Sequence, residues 1–244
     1  MKRMPIFILV AIFVLVVATA AFSISKGKSA ADYINEAKGM PDANKIVLVV
    51  NGNEITKAEY MIALKMQEDL TASLKTEKEN IALNAPEGPE KEKALANIDK
   101  KLVAGEEKRA LSYFLTEYAL FTEAKKLGIE VSEQKAKDYA KQTKEKYQQN
   151  KKQGMSSEID DFIATMGEKT YWEDYVPKKY QIKGSIGKLK NHITGQVDKS
   201  EKQKVWNDYV IDVTSKAQFE VKDTNLIKLT EQDIIDYKKN YIEE

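Results

Sequence analysis

Apolar residues are distributed along this chain in three ways. Residues 6–25 form an uncharged run of twenty, preceded by Lys2 and Arg3. Residues 46–50, IVLVV, have the β-branched character of a buried strand, and Asn51-Gly52 behind them supplies the positive φ angles of a tight hairpin turn. Beyond residue 57 the spacing is helical, so the expected order at this corner is strand, turn, helix. Thr56 and Glu59 have the T-x-x-E spacing of a capping box, and Ile55 and Tyr60 are placed to close a hydrophobic staple over the helix start.

The first helical stretch covers 57–80 and is broken at NAPEGPE, residues 84–90, where two prolines and a glycine cannot share one helix. Helix resumes over 90–127, with Gly105 a candidate interruption. Its second half, ALSYFLTEYALF at 110–121, is apolar on nearly every face, and a helix of that kind must be surrounded. In KKLGIEVSE, residues 125–133, the lysines suit a helix C-terminus, Gly128 a left-handed cap and Ser132 the next N-cap. A polar helix then runs to about 153 and is broken by Gly154. Ile159, Phe162, Ile163 and Met166 outline a short amphipathic helix ending at Gly167, and Thr170 with Glu173 spells a second capping box. Ile182, Ile186, Leu189 and Ile193 recur on one face of the helix that follows. Gly184 and Gly187 in that helix weaken it by about 1 kcal/mol each, or mark close helix contact. A last long helix spans 198–216 with Trp206 inward. It leads to AQFEV, 217–221, whose alternation is strand-like and whose economical partner is 46–50. Thr230 and Asp233, with Leu229 and Ile234, repeat the capping pattern at the head of a terminal helix to Tyr241. The expected fold is mainly α: a multi-helix domain with a small β clasp joining the N-terminal strand or hairpin to a C-terminal strand, preceded by a transmembrane helix.

As a helix, residues 6–25 would span about 30 Å, the thickness of a bilayer core. The expected organisation is a signal anchor at 1–25, a tether rich in Gly, Ser and mixed charge at 26–45, the helical domain at 46–222 and a helical extension at 223–244. Ala18-Thr19-Ala20 has the form of a signal-peptidase site, so a secreted product cleaved after Ala20 is the alternative to an anchored one. The short basic head places the domain on the extracytoplasmic side of the cell membrane, single-pass. The balance of 39 basic and 38 acidic residues, interleaved along the helices, argues against a nucleic-acid partner. With no cysteine, disulfides, thiol catalysis, zinc thiolate sites and a lipidated cysteine are excluded.

Four segments together resemble the N-terminal chaperone domain of the SurA/PrsA-type extracytoplasmic foldases, a fold also similar to the C-terminal chaperone region of trigger factor. They are KIVLVVNGNEITKAEY, LSYFLTEYALFTEAKKLGIEVSEQKAKDYA, EIDDFIATMGEKTYWEDYVPKKYQIKGSIGKLKNHI and AQFEV, within residues 45–222, and the EAKKLGIEVSE junction is the most specific piece. The resemblance implies a helical cradle that holds unfolded or partly folded exported polypeptides without ATP. That family commonly adds a parvulin prolyl-isomerase domain after the clasping strand. Such a domain needs about 90 residues, whereas 22 follow Lys222, and the single histidine, His192, precedes that position. Isomerase activity by descent, or service as a dedicated envelope assembly adaptor, are the alternatives to a general chaperone.

No catalytic residue, cofactor site or metal site is expected. His192 lacks any Cys or second His partner. Asp160-Asp161 and Glu173-Asp174 are adjacent on helices, so each pair diverges by about 100° and suits a helix N-terminus better than acid–base work. GSIGK at 184–188 lacks the spacing and the preceding strand of a phosphate loop. Among the aromatics Tyr113, Phe114, Tyr118, Phe121, Tyr171, Trp172, Tyr175 and Trp206, most are expected in the core. Tyr171, Trp172 and Tyr175, at an expected helix start, are the candidates for partly exposed client-binding residues.

Overall fold

A computed structural model describes residues 30–154, 158–230 and 232–233. The candidate anchor at 6–25 and the terminal helix beyond 233, Ile234 included, lie outside them. Among the described residues no helix is long and apolar enough to cross a membrane. The elements are α1 (Ala30–Lys38), β1 (Ile46–Val50), β2 (Asn53–Thr56), α2 (Lys57–Asn84), α3 (Pro89–Ala104), α4 (Glu106–Lys126), α5 (Glu133–Lys152), α6 (Glu158–Met166), α7 (Val176–Thr194), α8 (Lys202–Ser215) and β3 (Phe219–Val221).

The centre of the fold is α4. Its residues from Glu117 to Phe121 are all buried, and at about 100° per residue five in succession go around the whole helix. It is covered by α2, α7, α8 and β1. Ile182 and Leu189 of α7, Trp206 and Val213 of α8, Tyr60 of α2 and Val47, Leu48 and Val50 of β1 join the α4 side chains in one core.

The clasp has the order β2-β1-β3, antiparallel throughout. Asn51 and Gly52, at φ 46° and 76°, make the two-residue turn that the Asn-Gly pair dictates. It leads into a short return strand, β2, before the helix begins. Opposite β2, β1 pairs with β3 in the register Leu48↔Val221, Val49↔Glu220, Val50↔Phe219, as the alternation of AQFEV predicts. The Lys45–Asp223 ion pair (2.7 Å) fastens one end, and the backbone and side chain of Asn51 both bond Gln218 at the other.

Thr56 and Glu59 exchange both bonds of the capping box, and Ile55 and Tyr60 are fully buried beside it. α2 then runs to Asn84, and Gly105 divides the next stretch into α3 and α4. α4 ends in the expected cap. Gly128 sits at φ 65°, its N–H donates to Lys125 O (3.0 Å) and that of Ile129 to Ala124 O (3.0 Å), the two bonds of a Schellman motif. The junction that follows is locked onto α7, where the buried Ser185 hydroxyl accepts from the Val131 N–H (2.9 Å) and Gly184 leaves only 3.0 Å for a Cβ against Val131. Close contact is thus the reason for Gly184. Thr230 and Asp233 also exchange capping bonds (2.9 and 3.1 Å).

Two expectations are corrected. From residue 30 the stretch read as a tether is packed structure: α1 buries Tyr33, Ile34 and Ala37, and Lys57 donates to Pro41 O (2.9 Å) to hold the following loop on α2. The second capping box is absent as well. Thr170 is helical with no capping bond, and the chain passes without a stop from a turn at Glu168–Thr170 through a π-helical turn at Tyr171–Tyr175 into α7. Tertiary packing of the aromatic side chains there outweighs the local signal.

Gly128→Val is expected to lower stability by about 1 kcal/mol or more, through backbone strain alone, since a Cβ at this position meets no atom within 4 Å. A denaturant midpoint equal to that of the wild type would contradict the assignment.

Candidate binding surface

Two buried charges on α4 set the positions of its neighbours. Arg109, 9% exposed, donates to Gln67 Oε1 (3.0 Å) and Gln67 O (3.0 Å), to the Thr71 hydroxyl, and to Lys101 O (2.6 Å). Glu106 accepts from Thr71 (2.7 Å) beside it. These bonds fix the root of the α2–α3 hairpin. Beyond Leu74, α2 buries no side chain, so the distal hairpin stands out as an arm on which Leu83 is 81% exposed.

Glu117, 3% exposed, meets Lys183 at 2.5 Å, Lys179 at 3.8 Å and the Tyr113 hydroxyl at 3.1 Å, while its Oε2 has no hydrogen-bond partner. Burial alone pushes its carboxyl up, but the two lysine charges and the bonds from Lys183 and Tyr113 outweigh burial and hold it below the usual carboxylate range. The surrounding tyrosines move the other way. Burial, then the Glu117 charge, pushes Tyr175 up to about 12, and burial also raises Tyr60, Tyr113 and Tyr118. These phenols therefore stay protonated donors at any physiological pH. One further ion pair, Lys178 with Glu59 (2.7 Å), joins the start of α7 to the start of α2.

Of the three candidate client-binding residues read as partly exposed, two are placed differently and Tyr175 keeps partial exposure. Tyr171 and Trp172 are 7% and 5% exposed, and Tyr175 is half-buried. They form a second core with Ala140, Val176, Tyr147, Ile159, Phe162 and Ile163. The Phe162 ring lies 6.0 Å from those of both Tyr171 and Tyr175, and Tyr147 is 5.7 Å from Trp172. Helix α6, four residues upstream, folds back on the π turn, and Ala140 and Tyr147 of α5 close on it from farther along the chain. Asp160 binds the Tyr147 hydroxyl and Lys151 (2.5 Å), which ties α6 to α5. The side chain of Asp161 is outside the described residues.

Tyr113 is the aromatic of α4 that reaches the surface, at 37% exposure, with the Lys183 ammonium 5.3 Å from its ring. It joins Leu70, Leu83 and Val103, so four of the five large apolar side chains exposed among the described residues belong to α2, α3 and α4. Sequence reasoning passed over Glu117 and Arg109. The signal available was a charge inside a helix apolar all round, which must be paired if it is buried. His192 and the pair Glu173-Asp174 are exposed, and 184–188 lies within α7. Among the described residues no three His, Asp or Glu side chains converge as for a metal ion.

Comparison of the chain with protein-family models, with characterised proteins and with solved structures finds no match.

Lys183→Met removes the nearer partner of a buried carboxylate whose folded-state pKa is depressed. The stabilisation from this group is present above the unfolded carboxylate pKa and is lost as pH falls through the folded one. The variant is expected to be less stable by about 1–2 kcal/mol at pH 7, less than for a fully enclosed pair because Lys183 is a third exposed and Lys179 remains. Urea unfolding checks this, with the gap to wild type narrowing between pH 5 and about pH 3; a gap independent of pH would contradict it.

Proposed function

We propose that the protein is a membrane-anchored, extracytoplasmic, ATP-independent chaperone that holds unfolded or partly folded exported polypeptides. The observation that carries the reading is the concentration of exposed apolar side chains, Leu70, Leu83, Val103 and Tyr113, on consecutive helices. Isolated apolar residues occur on any surface, but Leu83 on the distal arm, with Leu70 and Val103 nearer its root, offers apolar side chains to segments of another chain. The arrangement asks for no nucleotide, since the binding free energy comes from reversible apolar burial at about 25 cal/mol per Å². The resemblance of the four sequence segments within 45–222 to the SurA/PrsA-type foldases supports the same reading. The uncharged run at 6–25 supports an anchor that presents the domain outside the cytoplasm.

Light scattering of an aggregating model substrate tests the reading. The chain from residue 30 is expected to suppress aggregation at stoichiometric excess without nucleotide, and the double change Leu83→Lys and Val103→Lys to weaken suppression with no shift in melting temperature. Absence of suppression by the unmodified chain would overturn the proposal.

A further inference from the structure

Two tyrosines on different helices lie face to face. Tyr139 of α5 and Tyr180 of α7 have their ring centroids 3.7 Å apart and their planes within 5° of parallel. Aromatic pairs ordinarily prefer an offset or an edge, with centroids about 4.5–7 Å apart. The nearby pairs Tyr171–Trp172 and Tyr171–Tyr175 follow that preference, at 4.8 and 5.7 Å. The closer stack is set by the backbone beside it. Gly184, one turn after Tyr180, has no side chain to hold α7 away from the junction that precedes α5: a Cβ there would meet Val131 at 3.0 Å and the Tyr180 ring at 3.9 Å. The bond from the Val131 N–H to the Ser185 hydroxyl (2.9 Å) then fixes the register of the two helices.

Both rings are half-buried, so part of each stays open to solvent while one face is covered by the other ring. Parallel rings at this separation have their carbon atoms in van der Waals contact. Burial raises both phenols above the ordinary tyrosine value, so at neutral pH each is a protonated phenol that loses its electron and its proton together. With no cysteine in the chain, a bond between these rings is a covalent tie that the fold can make without a disulfide.

We infer that Tyr139 and Tyr180 form an oxidative cross-linking site, at which a one-electron oxidant driven by peroxide joins the two rings as dityrosine. Each phenol gives up one electron and its hydroxyl proton, and the two radicals pair their electrons in a bond between ring carbons ortho to the oxygens. The hydrogens on those two carbons leave as protons and the oxygens end as phenols again. Two C–H bonds are thus exchanged for one C–C bond, and the two electrons and two protons released reduce one hydrogen peroxide to two waters. The new bond closes a loop from residue 139 to residue 180 that contains α6 and the π turn, and it fastens α5 to α7 beside the second core. This site is independent of client binding.

The test treats the full chain, in detergent micelles at micromolar concentration, with hydrogen peroxide and a small haem peptide as the one-electron oxidant, and maps the proteolytic fragments by mass spectrometry. The expected product is an intramolecular dityrosine joining residues 139 and 180, several-fold more abundant than any joining Tyr171 to Tyr175. Unfolding in urea before oxidation is expected to abolish that preference. Tyr139→Phe and Tyr180→Phe each keep a ring in the stack, and each is expected to lower the intramolecular dityrosine by on the order of tenfold, because the remaining phenol loses its positioned partner. A 139–180 product no more abundant than the 171–175 product, or equally favoured in folded and unfolded chain, would overturn the assignment. So would dityrosine formed mainly between chains, or undiminished dityrosine in either variant. The comparison of folded with unfolded chain needs no substitution and remains decisive if a variant misfolds.

Discussion

The burial of α4 on every side is the constraint from which the other positions follow. A helix that is apolar around its circumference cannot lie at a surface, so it recruits elements from both ends of the sequence. Residues 46–60 bring β1 and the start of α2, while residues 176–221 bring α7, α8 and β3. The two groups meet again in the sheet, where β1 is flanked by its own hairpin partner on one edge and by β3 on the other. Central placement of β1 leaves Val47, Leu48 and Val50 fully covered and moves the open edges to the shorter strands β2 and β3.

The two charges embedded in this helix act as position markers. Burying either guanidinium or carboxylate is costly, and the cost is offset only where partners stand at the right distance. Arg109 finds them on α2 and at the end of α3, Glu117 on α7. Each charge therefore selects one register for the helix packed beside it. Elements remote from these anchors are held by less. The outer half of the α2–α3 arm has few buried side chains, so it opens at a smaller cost than the core around α4.

Much of this was legible in the sequence because it is encoded locally. The Asn-Gly turn, the Thr56–Glu59 box, the Gly128 cap and the alternation of AQFEV are short-range signals, and all four form as read. What escaped depends on distant partners. β2 has a single buried residue, Ile55, and is a strand only because β1 lies beside it. α1 was passed over although Ser29 and Asp32 have the spacing of a capping box, because the Gly, Ser and mixed charge around it read as a tether and its packing on α2 and α6 is set by distant chain. Thr170 and Glu173 have the spacing of a cap, yet the aromatic cluster under α6 draws the backbone into a continuous π turn. The exposure expected of Tyr171 and Trp172 failed for the same reason. The buried charges were visible as letters, but only the fold supplies their partners.

Hydrogen–deuterium exchange of the full chain tests most directly the claim that the fold is built around the enclosed helix α4. The account predicts that amides of α4, β1 and β3 exchange together and slowest, through global unfolding, and that those of the distal α2–α3 arm beyond Leu74 exchange on the order of a hundredfold faster, through local opening. Protection of the distal arm equal to that of α4 would contradict it.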